Sequence, residues 1–232
     1  MMDSFEWQEE EIKLPTVLND IEVRVLGSLV EKQVTTPEYY PLTLNALMLA
    51  CNQKNNRNPV TALSETEVEQ ALDSLREKNL AYVFYGSTSR VPKYKHVADN
   101  LHLSSAELAA ICVLMLSGAQ TVGEIRTRGT RLYEFSGLEE VEQALHSLST
   151  KDSEPMVIKL PRQPGQKEAR FAHLLAGEVN VEQMLEEPAS NRAARRASDS
   201  EKVAGLEEKV ATLSAEVESL RRQFEEFKKQ FE

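Results

Sequence analysis

The chain has only two cysteines and four histidines in 232 residues, and no apolar run long enough to cross a bilayer. Each scarcity removes a class of function. Cys51 and Cys112 sit among apolar residues on segments that read as helices, so buried reduced thiols are expected rather than a disulfide or a reactive centre. His96, His102, His146 and His173 are scattered, and none has a Cys or His at metal-ligand spacing. No phosphate-cradling glycine loop, nucleophile elbow, H-E-x-x-H or S-x-x-K is present, so neither an enzyme nor a cofactor is expected. The first residues, Met1 to Glu11, are acidic where a signal or transit peptide is basic, which points to the cytoplasm. An overall excess of positive charge is missing too, the net charge being −10.

That charge is unevenly spread. Residues 18–101 hold ten acids and nine bases, and residues 102–180 hold ten and eight, so local patches decide what these two stretches attract.

The chain carries an internal repeat. Glu67-Val-Glu-Gln-Ala-Leu-Asp-Ser-Leu75 returns as Glu140-Val-Glu-Gln-Ala-Leu-His-Ser-Leu148, with only Asp73 exchanged for His146. In each copy four apolar residues fall at i, i+3, i+4 and i+7: Val68, Ala71, Leu72 and Leu75, then Val141, Ala144, Leu145 and Leu148. That spacing predicts one buried helical stripe. Ser64 with Glu67, and Ser136 with Glu139, have capping-box spacing.

The surroundings repeat as well. A helix from Leu18, capped by Asn19, matches one from Leu103, capped by Ser104. Second helices are expected near Leu42–Lys54 and Val122–Arg128. Strand pairs follow each duplicated helix: Ala81–Tyr85 with Lys93–Val97, then Met156–Leu160 with Ala169–Leu174. Tyr94-Lys-His96 and Phe171-Ala-His173 keep one aromatic-x-His spacing, for which a shared packing role is expected. Three helices and a two-stranded ribbon are the order of a winged helix. The expected fold class is therefore mainly α with small β-ribbons: an acidic tail at 1–17, winged-helix domains at 18–101 and 102–180, and a linker at 181–202.

A coiled-coil helix is expected at 203–232. Val203, Leu206, Val210, Leu213, Val217, Leu220, Phe224, Phe227 and Phe231 alternate spacings of 3 and 4. Val at a and Leu at d favour a two-stranded parallel coil, and Lys202 would face Glu207 of a second copy, so a homodimer is expected.

Placing the apolar stripes inward leaves Thr66, Glu69, Gln70, Asp73 and Glu77 outside on the first copy, and Glu139, Glu142, Gln143, His146 and Thr150 on the second. Carboxylates there oppose the counterion release that drives DNA affinity, so these helices are poor groove readers. The ribbons are basic: Arg90, Lys93 and Lys95 without an acid, then Lys159, Arg162, Lys167 and Arg170 against Glu168 alone. Arg126, Arg128 and Arg131 add to the second unit. Nucleic-acid contact is expected through these groups and through Lys54 and Arg57. The competing expectation is a protein-interaction adaptor using the acidic helices and the coil, with no nucleic acid bound.

The segment Thr35-Thr-Pro-Glu-Tyr-Tyr-Pro-Leu-Thr-Leu-Asn-Ala-Leu, continuing to Cys51-Asn-Gln-Lys-Asn-Asn-Arg-Asn-Pro59, is amide-rich. Asn45, Asn52, Gln53, Lys54 and Arg57 could form a polar recognition surface, or the amides and Pro59 could cap a helix and shape a turn. These blocks resemble the signature of the YceH-like family of uncharacterised bacterial cytoplasmic proteins, over roughly residues 16–180. The resemblance implies a pair of winged-helix domains and no established activity.

Overall fold

A computed structural model describes residues 17–85, 91–151, 155–162 and 166–177. The chain divides into two units, Met1–Val179 and Asn180–Glu232. The acidic tail before Val17, Arg90, the linker and the heptad seam from Val203 lie outside the described residues.

The described residues of the first unit are mainly helical with two small antiparallel sheets. Its first half runs α1 (Asp20–Thr35), β1 (Leu42–Thr43), α2 (Leu44–Cys51), α3 (Glu65–Glu77), β2 (Ala81–Phe84) and β3 (Lys93–His96). Its second half runs α4 (Ser105–Ser117), α5 (Val122–Gly129), α6 (Leu138–Ser149), β4 (Val157–Lys159) and β5 (Phe171–His173). The order of three helices and a ribbon thus recurs. In the first half β1 adds an edge, giving the strand order β1-β3-β2. In the second, Gln120 takes that place as a single bridge, exchanging backbone bonds of 3.0 and 2.7 Å with Phe171.

Side-chain caps fix where most of these helices begin. Asn19, Ser64, Ser104 and Thr121 each bond the N3 backbone N–H, while Glu22, Glu67, Glu107 and Glu124 reach back to the cap backbone. In α1 and α4 the same glutamate also tethers the third helix of its repeat. Lys78 Nζ donates to Glu22 at 2.6 Å, and Ser147 Oγ donates to Glu107 at 2.6 Å. The capping box expected at Ser136 and Glu139 is not formed. Gly137 is the N-cap of α6, and the Ser136 N–H and hydroxyl go instead to Glu140, at 2.7 and 2.9 Å. The turn is one residue longer than S-x-x-E allows, and Tyr133, donating to Glu140 at 2.7 Å, holds it there.

The duplicated stripes are buried as their periodicity requires, Val68, Ala71, Leu72 and Leu75 on α3 and Val141, Ala144, Leu145 and Leu148 on α6. The first helices are buried almost all round, because each packs on its own repeat and on the other. Gly27 of α1 lies against α4 so closely that an added Cβ would meet Leu116 at 3.0 Å and Met115 at 3.2 Å. Cys112 Sγ donates to the Gly27 carbonyl at 3.5 Å. Both repeats therefore share one core. Cys51 and Cys112 are free and buried, and burial pushes the Cys112 thiol up to about 12. Among the described residues no helix is long and apolar enough to cross a membrane.

Candidate functional site

The amide-rich segment forms the joint between the repeats. Thr43 caps α2, and Asn52 closes the loop that follows: its Nδ2 donates to Leu63 O at 2.8 Å, and its Oδ1 accepts from Leu63 N at 2.8 Å and from the Thr61 hydroxyl at 3.2 Å. Asn56 holds a left-handed backbone, φ 56°, which asparagine tolerates better than most residues. Asn58 then crosses to the second repeat, its N–H on Leu116 O at 2.9 Å and its amide on Ser117 O at 3.3 Å. Arg24 of α1 bonds the same Leu116 carbonyl and, at 2.6 Å, that of Pro59.

Arg57 is the centre of this joint. All of its N–H groups are engaged: Nε and Nη2 on Ala50 O at 3.1 and 2.8 Å, Nη1 on Asn56 O at 3.0 Å, and a fork onto Glu31 at 3.0 and 2.5 Å. Arg57 and Glu31 have no side-chain exposure. Arg131, from the second repeat, pairs with the same Glu31 and keeps 35% of its side chain in solvent. Arg57 is therefore not open to a partner: its N–H groups are spent on the chain's own backbone and on Glu31, since buried donors must find partners. Asn52 is half-buried, with its amide bonded to Leu63 and Thr61. Asn45 and Lys54 remain exposed, and Gln53 is half-buried.

One carboxylate serves several cations here. Burial would raise the Glu31 pKa, but its bonds and charge interaction with Arg57, and the charges of Arg131 and Lys32, bring it below the usual carboxylate value. Burial and the Arg57 charge both lower Arg24, and for Lys32 burial and the two arginines outweigh Glu31. Above this cluster a cleft of about 690 Å³ opens between Asn56 of the first repeat and α5 of the second.

The ribbons present a second arrangement. Across β2 and β3, Tyr82 lies opposite Lys95 and Phe84 opposite Lys93, while the alternate pairs, Ala81 with His96 and Val83 with Tyr94, face the core. Across β4 and β5, Lys159 lies opposite Phe171. Lys95 Nζ stands 4.9 Å from the Tyr82 ring centroid and Lys159 Nζ 5.8 Å from that of Phe171. The sequence showed the lysines but not this pairing, which register alone decides. Arg162 and Lys167 are exposed. Arg170 is not a free contact group. It donates to Ala119 O at 2.7 Å and forks onto Glu124 at 2.8 and 2.9 Å, fastening β5 to the start of α5. Arg126 and Arg128 are exposed on α5.

His96 and His173 occupy matching, largely buried places, and burial lowers both to about 4. His96 Nδ1 accepts from Ala98 N at 3.0 Å, and its backbone N–H donates to the Tyr40 hydroxyl at 2.8 Å. The acidic residues expected outside on α3 and α6 are exposed. Among the described residues no group of three or more His, Cys, Asp or Glu is placed to hold a metal.

Glu31 and Arg24 were missed in the sequence, and a signal for them existed. Arg24, Gly27, Ser28 and Glu31 fall at i, i+3, i+4 and i+7, a small and polar stripe set among Val23, Val25, Leu26, Leu29 and Val30 in the middle of the helix. Such a helix is buried all round, with paired charges inside.

The site and fold define a duplicated, mainly helical protein with basic ribbons and an ion-paired joint. Residues 18–166 match the family model described as a protein of unknown function, DUF480. A UPF0502 protein of Geobacter sulfurreducens is 52% identical over 194 residues, 82% of this chain and 87% of its own length. One from Opitutus terrae is 49% identical over 191 residues, 82% and 83% of the two chains, and one from Aliivibrio fischeri is 44% identical over 196, 82% and 88%. The chain belongs to this DUF480 and UPF0502 family of bacterial proteins.

Proposed function

We propose that the chain is a non-enzymatic, cytoplasmic regulatory protein of two tandem winged helices, dimeric through its C-terminal heptad seam, that contacts duplex DNA through its ribbons. The observation that carries this reading is the set of cross-strand lysine–aromatic pairs, Lys95 with Tyr82, Lys93 with Phe84 and Lys159 with Phe171. A lysine held beside a ring offers its charge to a phosphate while the ring packs against sugar. Tyr82 and Phe84 are 38% and 41% exposed, so both rings are open to solvent. Recurrence of the pair in both ribbons supports a shared role.

Electrophoretic retardation of duplex DNA across a salt series tests it. The parent chain should bind more weakly as salt rises, and Lys93→Ala/Lys95→Ala/Lys159→Ala should flatten the slope by about three phosphate contacts. Retardation unchanged in that variant would refute the reading. A second reading, a protein-binding adaptor, draws on the exposed Glu65, Glu69, Asp73 and Glu77 of α3 and Glu139 and Glu142 of α6. It predicts no duplex retardation at any salt, and partner capture that survives nuclease.

A further inference from the structure

We propose that the cleft between the amide loop and α5 binds a small phosphate-bearing molecule through Arg128, Arg131 and Asn56. Nothing in the ribbon reading requires it. At about 690 Å³ the cleft has the size of a small-molecule site rather than a groove for duplex DNA. Its walls come from both repeats, Asn56 from one and the stretch from Gly123 to Arg131, including Glu124 and Arg128, from the other.

Charge selects the ligand. Glu31 faces Arg57 and Arg131 directly, with Lys32 at 3.9 Å, so one carboxylate answers three cations. Burial is the main cause of the lowered Lys32 pKa, and the Arg57 and Arg131 charges add to it against the opposing pull of Glu31. Arg128, exposed on the cleft wall, adds another cation. The wall's one carboxylate, Glu124, is already engaged by Arg170 at 2.8 and 2.9 Å and by Thr121 N at 2.9 Å. Thr127 and Thr130 spend their hydroxyl protons on Gly123 O and Arg126 O, each at 2.9 Å. The donors left for a ligand are therefore guanidinium N–H groups and an amide, which suit the oxygens of a multiply charged phosphate. A monocarboxylate would balance only one of the charges.

Calorimetric titration of the full chain with pyrophosphate, at ionic strength held constant with chloride, tests this. One equivalent should bind. Arg128→Ala should weaken it by about tenfold, the effect of one lost charge-assisted bond. Gly123→Glu should abolish it; a Cβ at Gly123 meets no atom within 4 Å, so the variant places a carboxylate in the cleft without a clash at the backbone. Arg126→Ala, outside the lining, and Lys93→Ala/Lys95→Ala should bind as the parent does. The proposal is overturned if chloride competes on equal terms, if Arg126→Ala loses as much as Arg128→Ala, or if the ribbon variant loses pyrophosphate. Should Gly123→Glu also abolish duplex retardation, the occupant is the DNA backbone and the small-molecule assignment fails. Loss of duplex binding in the ribbon variant alone leaves the cleft standing, so the two readings fail separately.

Discussion

Replacing Glu31 by Gln leaves Arg57 as a cation with no side-chain exposure and no counter-charge. Removing one partner of a buried ion pair costs about 3–5 kcal/mol, because the surviving charge keeps its desolvation penalty. Arg131, still 35% exposed, recovers part of its hydration and adds less. For a folded unit of this size each kcal/mol moves the melting point by about 2–4 °C, so a fall of about 10 °C is expected. Differential scanning calorimetry of the two full chains measures it. A companion variant separates charge from packing. Glu31→Leu/Arg57→Met removes both charges and keeps much of the volume, and should lose far less than Glu31→Gln alone. A shift under about 3 °C in Glu31→Gln, or a double variant as unstable as the single one, would refute the reasoning.

Acid should unfold the chain by way of its matched histidines. Both are held to about 4, against 6.5 when free, so their contribution is full above pH 6.5 and lost as pH falls from 6.5 towards 4. The loss is at most about 3 kcal/mol for each, and His96→Gln should lessen the fall in urea midpoint between pH 6.5 and 5; an equal fall in both chains counts against it. Glu31 acts in the same direction at lower pH, since its lowered pKa gives stability present above the ordinary carboxylate range and lost on protonation. Glu140→Ala should lower the melting point, while Glu139→Ala leaves it unchanged, the reverse of what S-x-x-E spacing implies. Cys112 should resist a thiol reagent at pH 8 until denaturant is added, and rapid native labelling would contradict its buried placement.

The legible parts of this molecule are those governed by short-range periodicity. The duplicated stripes, the caps at Asn19, Ser64 and Ser104, and the ribbon strands to within about two residues all follow from local pattern. Position 136 departs from it because one residue of loop length moves the cap bond from Glu139 to Glu140. Arg57 went astray for a different reason. A charged residue in an amide-rich loop reads as exposed, and only the tertiary meeting of α1, the loop and Arg131 puts it inside. The lysine–aromatic pairs lay between these cases, their residues plain in the sequence and their partnership decided by register.

The contact of Gly27 with Leu116 and Met115 has a mechanical consequence. With the backbones that close and a saturated arginine pinned beside them, the halves cannot pivot on one another without emptying the interior. The two lysine-bearing ribbons are thus carried on one shared interior. A fragment cut at the repeat boundary would bare Leu116 and Met115, which the Gly27 backbone now covers, so neither half should keep its fold alone.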